Sequence, residues 1–272
     1  MSAPAVALEV RWTPSSPAQG NVALVIVTGT RGAREVEGQL GDRPLLFFPY
    51  GEAHAALVGI DLESAVGKTA WRVGVIDAGG ARRDRSGSVV LRAGRFPVER
   101  LSLPTGMVDL NPATERRAEA EAARLRALYA TTTPERLWQG RFAPPVAGEG
   151  KWTGFGARRI INGQPRMPHS GADYPAGLGT AVVASNRGRV AMVGDFFFAG
   201  RLVVLDHGLG LYTLYFHLER VDVAEGAVVE RGQPIGAVGA TGRATGPHLH
   251  WGAVLRQARV DPSGLLSISS GD

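Results

Sequence analysis

The apolar positions along the chain fall into two kinds of pattern. Across the N-terminal third they come as short runs rich in Val, Leu, Ile and aromatics: Ala5–Trp12, Val22–Thr28, Arg43–Phe48, Ala55–Ile60, Ala70–Ile76 and Ser88–Leu91. Gly, Pro, Asp and Ser punctuate these runs, which predicts short strands joined by turns and a small β-sandwich of immunoglobulin type. Near Asn111 the pattern changes. Asn111-Pro112 reads as a cap followed by a first-turn proline, and Glu115 to Tyr129 is rich in Ala, Glu, Arg and Leu with no Gly or Pro. Leu125, Leu128 and Tyr129 make an apolar stripe at helical spacing, so one helix is expected here. Short strands then return: Val182–Ala184, Val190–Val193, Leu202–Leu205, Leu211–His217, Val228–Val229 and Leu249–Val254. The expected organisation is a β-sandwich over 1–95, a linker with a helix over 96–140 and a second β-rich domain over 141–272, a mostly β chain in all.

Composition narrows the chemistry. There is no cysteine, which excludes disulfides, thiol nucleophiles and cysteine-ligated zinc. The formal net charge is +5, carried almost wholly by arginine, since lysine occurs only at Lys68 and Lys151. That balance suits an anionic partner. The arginines are scattered, however, and no nucleic-acid-binding module is recognisable, so no nucleic-acid partner is expected. No apolar run reaches the roughly 18 residues a membrane helix needs, so no membrane span is expected. The opening MSAPAVALEV lacks a basic segment followed by a long apolar one, so no leader of that pattern is read in it.

Five of the six histidines lie between His169 and His250. In a strand, alternate residues share a face, so His248 and His250 point one way while Leu249, Trp251 and Ala253 pack the other way. Two imidazoles about 7 Å apart on one strand face can serve one metal site. His169 and Asp173 offer a nitrogen and an oxygen donor in a Pro- and Gly-containing segment that is not helical. In Leu211–Leu218, period two sets Tyr212, Leu214, Phe216 and Leu218 on a core face and Thr213, Tyr215 and His217 on a face open to a groove. His54, alone in the N-terminal part, reads as structural. Spacing does not say which histidine of the His248/His250 pair would bind a metal.

These residues resemble the LytM/lysostaphin-type (M23) zinc metallopeptidases, which cut peptide bonds in peptidoglycan. The HxxxD motif matches His169 and Asp173, the HxH motif His248 and His250, and the tyrosine–histidine segment Tyr215–Leu218. The flanks at Gly179-Thr180, Asp206–Gly208, Gly232–Gly236 and Thr241–Pro247 also agree, so the resemblance runs from about Val146 to Pro262. It implies a β-rich LytM core, Zn2+ held by His169, Asp173 and His250, and His217 and His248 as the catalytic pair. His248 is then expected as the base and His217, with Tyr215, as support for the oxyanion. Asn162, Tyr215 and Phe196–Phe198 are candidates to line the substrate groove, and His207 is expected in a turn or supporting role. The resemblance further implies peptidoglycan peptides as substrate and action in the periplasm or outside the cell. The alternative is a catalytically silent regulator of other wall hydrolases. The N-terminal sandwich, which carries no chemistry, is expected to position the enzyme on a cell-envelope partner or to cover its groove.

Overall fold

The computed structural model describes residues 7–108, 110–148 and 153–268. They form two compact units, divided after Gly94. Ala5 and Val6 of the first expected strand lie outside the described residues.

The first unit is built from β1 (Glu9–Thr13), β2 (Val22–Thr28), β3 (Ala33–Leu40), β4 (Arg43–Pro44), β5 (Phe47–Tyr50), β6 (Ala53–Gly59), β7 (Gly67–Asp77) and β8 (Arg82–Leu91). They pair as two antiparallel sheets, β1-β2-β6-β5 and β4-β3-β7-β8. Trp12, Val25, Ala56 and Val58 from one sheet and Leu40, Val89 and Leu91 from the other share one buried core. The two sheets share that core, and β4 lies at an edge of the second. The pattern of apolar runs missed β3, because its sequence AREVEGQL is mostly polar and buries fully only Leu40. His54 Nδ1 lies 3.0 Å from the Thr30 hydroxyl.

The second unit begins earlier than the sequence suggests. β9 (Val98–Leu101) and the helix α1 (Pro112–Tyr129) are followed by β10 (Arg158–Ile161), β11 (Gln164–Pro165), β12 (Gly171–Tyr174), β13 (Ala181–Val183), β14 (Gly188–Phe196), β15 (Gly200–Asp206), β16 (Leu211–Val221), β17 (Val228–Val229), β18 (Pro234–Val238), β19 (Leu249–Leu255) and β20 (Ala258–Val260). β9 pairs in parallel with β10, so the stretch expected as a linker is built into this unit. Among the described residues the main sheet has nine strands, with β12-β19-β16-β15-β14 as its spine.

α1 starts where the sequence places it. Asn111 Oδ1 accepts from the backbone N–H of Ala113 and Thr114, and Pro112 fills the first turn. Its stripe of Leu125, Leu128 and Tyr129 packs on Leu202, Val204, Tyr212 and Leu214 of the sheet. The opposite sheet face buries Tyr215, Leu218, Leu249 and Trp251 in a second core. β16 is therefore covered on both sides, which removes the polar face that simple alternation assigns to it.

Candidate metal and catalytic centre

β12, β19 and β16 lie side by side, with Asp173 opposite His250 and His250 opposite Phe216. Residues directly opposite in a sheet share a face, so register alone brings the carboxylate to the imidazole. His169 stands just before β12. Its backbone is pinned by His169 N–H donating to Ala157 O and Gly156 N–H donating to His169 O. The result is a tight cluster. His169 Nε2 lies 2.9 Å from His250 Nδ1, and Asp173 Oδ1 lies 3.2 Å from the first and 3.0 Å from the second. Phe216 stacks on the His250 ring at 5.2 Å between centroids and 8° between planes, which fixes its orientation.

The alternation predicted for the His-Leu-His run holds. Leu249 and Trp251 are fully buried in the core, and His248 and His250 project to the other side. His248 precedes β19, and its Nδ1 lies 2.8 Å from Gly246 O. A carbonyl only accepts, so Nδ1 carries a proton, and in the neutral ring Nε2 is left as an acceptor. That Nε2 faces the cluster, 3.8 Å from Asp173 Oδ1.

His217 reaches the same place by a route the sequence pattern does not contain. An extra residue in β16 shifts the register against β15 between Tyr215 and Leu218. His217 sits there with φ +64°, a left-handed conformation uncommon outside glycine. Tyr215 and Leu218 both face the inner core, whereas Phe216 and His217 both face the pocket. Without the bulge, His217 would follow Tyr215 into the core. Its Nδ1–H donates to Thr241 O at 2.8 Å, so its Nε2 is also an acceptor. Burial, reinforced by the nearby His250 and His248, pushes His217 down to about 3. Burial likewise lowers His250 to about 4, against the pull of Asp173. Burial alone would raise Asp173; the hydrogen bonds from His169 and His250 hold it well below the usual carboxylate range.

The loop that supports His217 is held by a close approach of two glycines. Gly242 packs against Gly200, and the Thr241 hydroxyl accepts from Arg201 N–H and donates to Leu218 O. Gly200 has φ +62°, and a Cβ there would run into the Thr241 hydroxyl and carbonyl. Gly200→Ala is expected to lower stability by about 2 kcal/mol or more, combining left-handed strain with a backbone clash. Chemical denaturation would show it; an unchanged midpoint would mean the loop yields freely.

Two sequence candidates lie elsewhere. Tyr215 is fully buried, with its hydroxyl 2.7 Å from Ser185 Oγ, 3.0 Å from Ser185 N and 3.0 Å from Thr213 Oγ1. It faces the core because both faces of β16 are covered, and it does not line the pocket. Asn162 is a hairpin residue. With Gly163 it makes the β10–β11 turn at φ +50° and +79°, and its side chain bonds Leu103 N and O. Phe196 both packs in the core and lines the pocket, and Phe198 lies at the rim, 37% exposed.

His207 plays a supporting part. It is fully buried, its Nδ1–H donates to Arg187 O, and its Nε2 lies 2.7 Å from the Thr213 hydroxyl that also meets Tyr215. Burial pushes it down to about 4. Unfolded, it takes up a proton near pH 6.5; folded, only near 4. The unfolded state thus binds more protons between those values, so stability is full above pH 6.5 and falls as pH drops toward 4. The loss is on the order of 3 kcal/mol. His207→Gln should flatten this part of the stability–pH curve, and an unchanged slope would sink the assignment.

A pocket of about 320 Å³ opens above the cluster. His169, His217 and His250 form its floor, Phe196, Phe198 and Phe216 part of its side, and α1 closes one wall with Ala118, Glu121, Ala122 and Leu125. Arg159 and Arg243 also line it. Sequence reading missed the helix wall and both arginines, although Arg243 lies inside the matched Thr241–Pro247 flank.

The three convergent donors fit a metal ion. In a tetrahedral zinc site, bond lengths near 2.0–2.1 Å place ligands about 3.3 Å apart. The observed separations of 2.9, 3.0 and 3.2 Å are close to that edge. Nδ1 of His169 has no partner among the described residues, so Nε2, facing the cluster, is the ring's one engaged nitrogen.

A β-sheet scaffold with a His/Asp/His cluster and two further histidines oriented by backbone carbonyls defines a metallopeptidase-type centre. The sequence profile described as peptidase family M23 matches residues 167–262. A crystal structure from Pseudomonas aeruginosa, assigned to peptidase M23, superposes with a TM-score of 0.70 at 31% identity, over 94% of this chain and 96% of that one. The chain belongs to the M23 peptidase family. Among curated relatives, the peptidoglycan DD-endopeptidase ShyA of Vibrio cholerae is 41% identical over 117 residues, 42% of this chain and 27% of the relative. The DD-carboxypeptidase/endopeptidase Mpg of Neisseria meningitidis is 45% identical over 94 residues, 35% of this chain and 22% of the relative. The chain thus spans about a quarter of the length of the curated relatives it matches.

Proposed function

We propose that this chain is a zinc-dependent endopeptidase that cuts the peptides crosslinking bacterial peptidoglycan, acting in the periplasm or outside the cell. One observation carries the reading: a three-donor cluster of His169 Nε2, Asp173 Oδ1 and His250 Nδ1 lies beside two histidines whose Nδ1 protons are both held by backbone carbonyls. Family membership and the names of the curated relatives support the substrate class.

His169, Asp173 and His250 would hold the zinc, a set of nitrogen and oxygen donors that suits it. When bound, zinc lowers the pKa of a water toward neutrality and polarises a carbonyl. In its neutral form His248 offers Nε2 as an acceptor, placed to take the proton of the attacking water. That proton can then pass to the leaving amine. A neutral His217 can only accept at Nε2, so it supports an oxyanion only after it has itself been protonated. Tyr215 acts at a distance, by fixing β16 through Ser185 and Thr213.

The test is digestion of purified sacculi by the metal-loaded protein, followed by mass spectrometry of the products. Release of uncrosslinked muropeptides, stopped by a chelator and restored by zinc, is the expected result. Intact crosslinks in sacculi of every wall type would overturn it and favour the regulator. The N-terminal sandwich is proposed to position the enzyme on an envelope partner. Unchanged localisation of the protein after removal of 1–94 would rule that out.

A further inference from the structure

Arg243 stands out among the pocket residues because its charge is unanswered. Arg159 is already engaged: its Nε lies 3.3 Å from Glu99 Oε2, and its guanidinium lies 3.7 Å from Asp173 Oδ2. Glu121, the one acidic residue of the α1 wall, is spent too. It accepts from Arg117 Nε and from Phe197 N–H, both at 2.7 Å. Arg243 has no carboxylate partner among the described residues, and its surroundings include two more guanidinium groups, Arg159 and Arg166. Burial first, and those two cations second, lower its proton affinity. A half-buried cation beside like charges is unfavourable unless an anion arrives.

The residue is also held in place in advance. Arg243 N–H donates to Phe198 O at 3.0 Å, Gly242 packs on Gly200, and the guanidinium lies 4.2 Å above the Phe198 ring. A planar fork stacked on an aromatic face loses little freedom when it binds a carboxylate in bidentate fashion. Arg243 lies two residues after Thr241, whose carbonyl holds His217, and both Arg243 and His217 line the same pocket.

We propose that Arg243 is a specificity-determining residue that binds a free carboxylate of the substrate peptide beside the scissile bond. The proposal rests on the peptidase reading above and adds the chemistry that the pocket selects. Two kinds of carboxylate could answer it: the α-carboxylate of a terminal residue, or the free carboxylate of a diamino acid within the crosslink.

The experiment uses a crosslinked tetrapeptide dimer released from sacculi, together with two counterparts. One carries a carboxamide at the chain terminus and the other a carboxamide on the diamino acid. Cleavage is measured for the zinc-loaded wild type, Arg243→Gln and Arg243→Lys. Binding of the same peptides is measured on metal-free protein. Wild type should lose about 10- to 100-fold in kcat/KM on one of the two amides, through KM, and that amide identifies the source. Arg243→Gln should cleave all three peptides alike, and should bind the free acid more weakly by the same factor. Arg243→Lys should fall between, with a point charge in place of the fork. If Arg243→Gln does not fold, Arg243→Lys carries the comparison. Equal wild-type cleavage of all three peptides, or an equal loss on all three in the variants, overturns the proposal and leaves the peptidase reading standing. No cleavage of any of the three by wild type removes both.

Discussion

Alanine in place of His250 is expected to abolish metal binding and peptide cleavage together. His250 contributes Nδ1 to the three-donor cluster and lies opposite Asp173 in the sheet, so its removal leaves two donors where a catalytic zinc site uses three. The several kcal/mol of charge stabilisation that a Lewis acid supplies is then lost, about three orders of magnitude or more in rate. The backbone cost should be small, because Leu249 and Trp251 keep β19 in the core. Metal content by elemental analysis, read with the rate of muropeptide release, checks this. A His250→Ala protein that retains one equivalent of zinc would mean the metal is held elsewhere.

The second large effect separates holding the metal from moving protons. His248→Ala is expected to keep the zinc and lower kcat by about 10²- to 10⁴-fold, since His248 is outside the three-donor cluster while its Nε2 faces it. For His217 the informative change is His217→Asn. Asparagine tolerates the left-handed backbone at φ +64°, so a fall in kcat would report lost chemistry and not a collapsed bulge. Metal content and single-turnover rates should part company in both variants. Loss of zinc in His248→Ala would contradict the division of labour.

Much of this site was legible in the sequence, and the reason is geometric. His169, Asp173, His248 and His250 lie at or next to regular strands, where period two and antiparallel register carry a sequence pattern directly into space. For His217 the rule of alternation does not hold. Alternation puts it on the side of Tyr215, and the bulge turns it away. Tyr215 failed as a groove residue because β16 is packed on both faces, which one strand's own sequence does not disclose. Asn162 is placed by its turn signal, since Asn-Gly between two strands makes a hairpin. The stretch 96–140 looked like a connection because neither β9 nor α1 announces what it packs against. Arg159 and Arg243 were passed over among many scattered arginines, since only the fold brings these two to one pocket.

The Thr241–Arg243 loop has a consequence for how a peptidase of the proposed kind could change. One end of it accepts the proton of His217 Nδ1, and the other carries Arg243. On the roles proposed for His217 and Arg243, turnover and choice of substrate share three consecutive residues. A change there that retunes preference also disturbs a proton-handling group, so selection for new wall chemistry would be held back at this loop. The wall of α1, where Ala118, Ala122 and Leu125 carry only small or apolar side chains, is the freer place for lineages, or protein engineers, to reshape the pocket.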